Sequence, residues 1–352
     1  MKSRFFVSTT MIAILGIPLI LILATNYLDE NNIHETEQNT QREFVVGFYM
    51  AGESFDSNLI NEDISDTIGL ESEKFQFYYL VDYDGMGNTE FFVANNYTRN
   101  HINLSKILPY DSDELNMGSS DVFSAYVNYI YSIKAKYHCL VIWGHGMGYD
   151  GICFDGNMKL TSTDIHDALI DKDFDLVIFD ACEMASIGFL HEIDDVTNYV
   201  IGTEKDLPDR GLDYAGSFSS FIMGGKYDPL TLSRCILDET KSYYQRNPSK
   251  YSLQISLIDM KEVENLCEKM LDYESYDFSS LPPSYESGIR FDLGLYFEMN
   301  KMNDLKERLD KSIIYQVTLP SGSGIPIEGI SGISMIKPNS SDNIPLINNV
   351  II

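Results

Sequence analysis

The 352-residue chain predicts an α/β fold built around a mostly parallel sheet. Two apolar runs carry that expectation: Tyr137-His138-Cys139-Leu140-Val141-Ile142-Trp143 and Phe174-Asp175-Leu176-Val177-Ile178-Phe179. Both are short and rich in Val, Ile and aromatics, the pattern of strands buried on both faces of a parallel sheet. A helix-like segment over 162–170 lies between them and completes a strand–helix–strand unit. Each run also stops abruptly, the first at Gly144-His145-Gly146 and the second at Asp180-Ala181-Cys182. Functional groups in such sheets gather beyond the carboxyl ends of neighbouring strands, so His145 and Cys182 are expected at one edge.

The elements follow in order. Lys2 and Arg4 precede an apolar run from Phe5 to Ala24, and a run of about 20 residues suits a spanning helix. No clear cleavage pattern follows at Ala24-Thr25-Asn26, so residues 1–25 read as a signal-anchor, with a cleaved signal peptide and secretion as the alternative. Positive charge before the run, and Asp29, Glu30, Glu35 and Glu37 after it, place the body outside the membrane. Residues 26–42 are polar, acidic and aperiodic, a solvated stalk, and the folded domain spans 43–352 with a C-terminal elaboration. Phe44 to Met50 and Phe75 to Val81 read as buried strands flanking a helix over 55–68. Thr89 to Ala94 reads as a hairpin arm, followed by a polar loop up to Asp113. From Ser120, Val122, Tyr126, Tyr129, Ile130 and Ile133 share one helical face. After the second central strand, Met184, Ile187, Leu190 and Ile193 recur at helical spacing. A strand over 198–203, a loop over 204–214, helices over 228–245 and 261–273, a strand over 253–258 and a last strand over 331–336 complete the chain.

The 44% apolar share supports a full core, as one large domain or two ordinary ones. A net charge of −28 and the absence of a Lys/Arg cluster exclude nucleic acid as a natural partner and favour cationic peptides, although an acidic surface also serves plain solubility. The five cysteines, Cys139, Cys153, Cys182, Cys235 and Cys267, are odd in number and lack CxxC spacing, so at least one stays unpaired within the chain. Cys139 lies inside a strand and reads as a small buried hydrophobe.

Cys182 is the chemically pointed one. At a strand-to-helix junction its sulfur would face a helix N-terminus, which favours the thiolate. His145 beside it would manage the proton in acyl transfer. The amides of Gly146 and Cys182 could together hold an oxyanion. Asp180, at the same strand end, could present its carboxylate to a basic side chain of a substrate. His138 is next to Cys139, but neighbours in a strand face opposite ways and cannot form the same pair.

Three motifs carry a family resemblance: Asn116-Met117-Gly118, Leu140 through Gly148, and Phe179-Asp180-Ala181-Cys182-Glu183-Met184. Together with Val46–Ala51, Ile201–Tyr214 and Gly332–Pro338, they make the chain resemble the clostripain family of cysteine peptidases over roughly 44–338. The resemblance implies a caspase-like α/β/α sandwich and a His145/Cys182 dyad. It also implies cleavage after Arg or Lys, with Asp180 reading the basic side chain through a charge-assisted pair. Family members often mature by self-cleavage between the dyad residues, and Lys159, in a polar stretch before a helix, is a better candidate than Lys172. Some members depend on calcium, yet no EF-hand spacing places a site here; the dyad chemistry itself requires no cofactor. The chain departs from the family pattern at Leu212, after Gly211, and at Met335-Ile336-Lys337, both on the expected substrate cleft. A silent caspase-like module that tethers partners to the membrane, and a peptidase with non-basic preference, are the competing readings.

Overall fold

A computed structural model describes residues 42–108, 114–273, 276–284, 290–320 and 329–336. The expected anchor and the stalk up to Gln41 lie outside these residues. Arg42, assigned to the stalk, is instead the first residue of strand β1 (Arg42–Gly52). Among the described residues, no helix is long and apolar enough to cross a membrane.

The chain enters the sheet through β1, crosses over by α1 (Ser57–Thr67), and returns in β2 (Phe75–Tyr83), which is parallel to β1. Strands β3 (Glu90–Asn95) and β4 (Thr98–His101) extend that side as antiparallel arms. Helix α2 (Ser120–Ser132) leads to β5 (Ala135–Trp143). A hairpin of β6 (Ile152–Asp155) and β7 (Met158–Leu160) then precedes α3 (Ser162–Leu169) and β8 (Phe174–Asp180). A short helix, α4 (Ile187–Glu192), feeds β9 (Thr197–Gly202), and α5 (Tyr214–Gly224), α6 (Pro229–Arg246), β10 (Leu253–Asp259) and α7 (Met260–Leu271) follow. The last elements are β11 (Arg290–Asp292), α8 (Leu293–Met299), α9 (Asn303–Ser312), β12 (Ile313–Leu319) and β13 (Ser334–Ile336).

Nine strands form one sheet in the order β12-β10-β9-β8-β5-β1-β2-β3-β4. The five central strands from β9 to β2 run parallel, and both flanks are antiparallel. Alternation along β1 explains the layers. Val45 and Tyr49 face a core shared with α2, α3, α4 and α7, whereas Phe44, Val46 and Phe48 face a second core shared with α1, α5 and α6. Because both faces are covered, the central strands need apolar residues at nearly every position, and β5 and β8 have them.

Local chemistry sets the boundaries. Thr161 and Asp164 form a reciprocal capping box that starts α3. Asp228 caps α6, with Pro229 at its first position where the missing N–H costs nothing. Four elements differ from expectation. Met184 stays outside α4, which begins only at Ile187. Helix α5, beginning at the end of the expected 204–214 loop, and edge strand β12 arise in stretches to which the sequence assigns no element. The final strand is shorter than predicted and pairs with β11 in a separate two-stranded sheet.

Candidate active site

The two central strand ends meet as their placement predicted. Trp143 and Asp180 are register partners across β5 and β8, and the Gly144 N–H donates to the Asp180 carbonyl at 3.3 Å. The chain then turns so that Gly146 lies against the backbone of Cys182. A Cβ at Gly146 would sit 2.5 Å from the Cys182 carbonyl oxygen, so only glycine permits this approach. Gly146 also bridges Ile152, flanked by hydrogen bonds from Met147 N–H to Gly151 O and from Cys153 N–H to His145 O. In such a pair the central residue's own N–H points away from the ladder.

His145 is exposed, and its imidazole stacks on Phe55, with ring centroids 4.0 Å apart and planes at 22°. Partial burial holds its pKa below the ordinary histidine value, so the ring is neutral near pH 7. Cys182 is half-buried, and its sulfur accepts the Leu207 N–H at 3.3 Å. Burial pushes the thiol up to about 11, the Leu207 amide lowers it, and Asp206, Glu183 and Asp180 add to the rise. This overturns the expectation of a lowered thiol pKa. Cys182 lies in a turn, four residues before the α4 cap at Ser186, and so is not in the first turn of that helix.

Asp180 is 4% exposed. Its Oδ2 accepts the Tyr214 hydroxyl at 2.7 Å and the Leu212 N–H at 3.3 Å, while Oδ1 is buried without a hydrogen-bond partner. Desolvation raises the carboxyl to about 6. Gly211 closes over it: with φ of +67°, its missing Cβ would fall 2.6 Å from Oδ1. Leu212, the departure from the family pattern, is buried and serves through its backbone amide.

Sequence reasoning missed a buried clamp. Arg290 on β11 is fully buried and binds the Glu183 carboxylate and the Met147 carbonyl, with Asp150 3.8 Å away. It therefore ties the loop after His145 to the residue after Cys182. Glu183 holds a left-handed φ of 64°, a costly conformation for a side chain, and its N–H donates to Lys205 O at 2.9 Å. In the sequence Phe55 stands at the start of a helical period and Arg290 in a stretch to which no element is assigned, so no local signal marks either.

Lys159 is exposed on β7, just before α3, and Leu160 after it is fully buried. The Asn116-Met117-Gly118 turn supports this hairpin. Met117 N–H donates to Asp155 Oδ2 at 2.7 Å, and Gly118 packs on the Met158–Lys159 backbone. Lys172 donates its amino group to Ala168 O. His138 bonds Ile133 O, apart from the site. All five cysteines are unpaired thiols.

For a metal, the convergent ligand set among the described residues is His191, Asp194 and Cys267, whose ligand atoms lie within 4.8 Å of one another. Nitrogen and sulfur do not suit calcium, which takes about 6–8 oxygen ligands, so these residues do not fit the calcium that the resemblance raised.

The Clostripain family's sequence profile matches residues 48–315. Two solved structures are similar in fold. One is a secreted C11 cysteine protease from Bacteroides thetaiotaomicron in complex with an irreversible peptide inhibitor: 20% identity, TM-score 0.67, covering 85% of this chain and 95% of that one. The other is an inactive zymogen C11 protease from Parabacteroides distasonis: 19% identity, TM-score 0.68, covering 86% and 94%. The caspase-like α/β/α sandwich is thus the fold. No curated protein matches the sequence.

Proposed function

Because the chain belongs to the clostripain family and is a cysteine peptidase, we propose that it cuts peptide bonds after Arg or Lys, with Cys182 as nucleophile and His145 as general base and acid. The observation that carries this is the junction of the two strand ends, where Gly146 abuts the Cys182 backbone and the buried Asp180 keeps one oxygen free.

The electrostatics favour a sequence of steps that starts from a neutral pair. A thiol held near 11 and a neutral imidazole do not form a resting ion pair at pH 7. His145 would take the Cys182 proton as the sulfur attacks the scissile carbonyl carbon, and then return it to the leaving amine. Water would hydrolyse the acyl-enzyme by the same proton route. The Gly146 and Cys182 amides would stabilise the tetrahedral oxyanion. Phe55, stacked on the imidazole, limits the orientations His145 can adopt. Asp180, ionised above about 6, would pair its free oxygen with a P1 guanidinium or ammonium.

Self-cleavage after Lys159 belongs to the same proposal, as does the placement of the catalytic domain outside the membrane on the 1–25 signal-anchor, with secretion as the alternative. An exposed Lys159 supports the first, although the Leu160 side must leave its buried seat before the bond can enter a cleft. Substrates are proteins or peptides. We expect Cys182→Ala to abolish hydrolysis of an Arg or Lys peptide amide while keeping the wild-type unfolding temperature. Turnover retained by the folded variant would reject the nucleophile assignment.

A further inference from the structure

We propose that Arg210 is a specificity determinant of the P1 site: a resident guanidinium, held by carboxylates of α1 one residue before the Gly211 that covers Asp180, that restrains the preference for basic side chains. The inference rests on the reading of Asp180 as the P1 carboxylate and deepens it.

The placement comes from four contacts. Arg210 precedes Gly211, which lies against Asp180 Oδ1. Its guanidinium binds Asp63, reaches Asp66 Oδ2 at 2.6 Å, and lies 3.7 Å from Glu62 Oε2. Asp63 is 2% exposed and accepts the Trp143 indole N–H at 2.9 Å. Trp143 is in turn the register partner of Asp180. One fixed cation and two buried carboxylates are therefore gathered at the strand end that carries the nucleophile.

The charge arithmetic then bears on selectivity. A P1 cation approaching the free oxygen of Asp180 gains that attraction but meets the field of Arg210. A neutral P1 side chain meets neither effect at full strength. Arg210 is pinned by an ion-pair fork to two aspartates, and its neighbour's carbonyl accepts the Tyr244 hydroxyl at 3.0 Å, so it cannot simply swing away. The resident charge thus flattens the contrast between basic and neutral substrates.

The test compares kcat/KM for two peptide amides differing only in Arg or norleucine at P1, read on the alkaline plateau of each variant's pH profile, because Arg210 also favours the ionised form of Asp180. Replacing the cation by a neutral side chain of similar length, Arg210→Met, should raise the Arg/norleucine ratio on the order of tenfold. Arg210→Lys, which keeps the charge, should hold the ratio near wild type. Asp66→Asn, at a half-buried position, leaves Arg210 less compensated and should lower it. Asp180→Asn is measured alongside and should collapse the ratio. A ratio that is unchanged or lower in Arg210→Met, or unchanged or higher in Asp66→Asn, overturns the inference while a collapse in Asp180→Asn leaves the P1 reading standing. An Asp180→Asn ratio equal to wild type overturns that reading and the inference together. Should Arg210→Met fail to fold, the sign of the Asp66→Asn change decides.

Discussion

Asp180 sets the pH behaviour expected of substrate choice. Its carboxyl is pushed from 3.8 to about 6 because burial removes more hydration than the Tyr214 hydroxyl, the Leu212 amide and nearby Arg210 restore. The sign follows directly. Below about 6 the folded enzyme holds a neutral acid, so the basic-over-neutral P1 ratio should climb between pH 5 and 7. In Asp180→Asn the ratio should be flat over that range, as kcat/KM for paired Arg and norleucine substrates would show. A wild-type ratio independent of pH would count against Asp180 as the P1 reader. Stability moves the opposite way. An unfolded Asp180 ionises near 3.8 while the folded one keeps its proton to about 6, so this group's contribution declines as pH rises through that window. The strand-end position of Asp180 and the place of Cys182 just beyond it were legible in the sequence because an apolar run stops there. Their protonation states were not, since burial and the Leu207, Leu212 and Tyr214 contacts come from segments about 25 to 34 residues away.

At the scale of elements, the site is a meeting of loops held together from behind. Strands β5 and β8 deliver His145 and Cys182, but Arg290, reaching in from β11, joins Met147 to Glu183 across them. The small β11–β13 sheet is itself attached there, with Ser334 N–H donating to Ala185 O at 2.8 Å. Removing the cation would take the Arg290 partner from the buried Glu183, and breaking a buried pair costs about 3–5 kcal/mol. We expect Arg290→Met to lower the unfolding midpoint and to reduce kcat more than it alters KM, whereas Arg290→Met combined with Glu183→Gln should recover much of the stability. Denaturant titration and steady-state kinetics on both variants check this, and an unaltered kcat in a folded Arg290→Met would remove the clamp from the account. The strand periods of β1, β2, β5, β8 and β10 were readable because both their faces are apolar. Strand β12 was not, since Ile313–Leu319 is an edge strand whose half-exposed positions carry a weaker period. Helix α4 misled through Met184, whose apolar side chain serves the core from a turn.

For the molecule as a whole, a strongly acidic, three-layered peptidase carries the proposed dyad at one edge of its sheet, and the hairpin β6–β7 lies on the chain between His145 and Cys182. Its Lys159 is exposed while Leu160 is buried, so cleavage there must wait for local opening. Purified wild-type protein should therefore convert slowly into two fragments ending and beginning at Lys159 and Leu160, and Lys159→Gln should stay intact; intact-mass spectrometry over days distinguishes them. A fully active enzyme that never fragments would remove self-cleavage from the proposal. The fold class was evident from two runs, yet the nine-stranded order depended on long-range pairings such as β10 with β12, which no local pattern specifies. The central claim is that Cys182 performs peptidase chemistry on basic P1 sites. Its most direct measurement is labelling by a thiol-reactive peptide probe carrying Arg, Lys or Asp at P1, with the modified residue located by mass spectrometry. The Arg and Lys probes should label Cys182, the Asp probe should label it little, and none should label Cys182→Ala; failure of all three to modify Cys182, or equal labelling by all three, would reject it as a nucleophile with basic P1 preference.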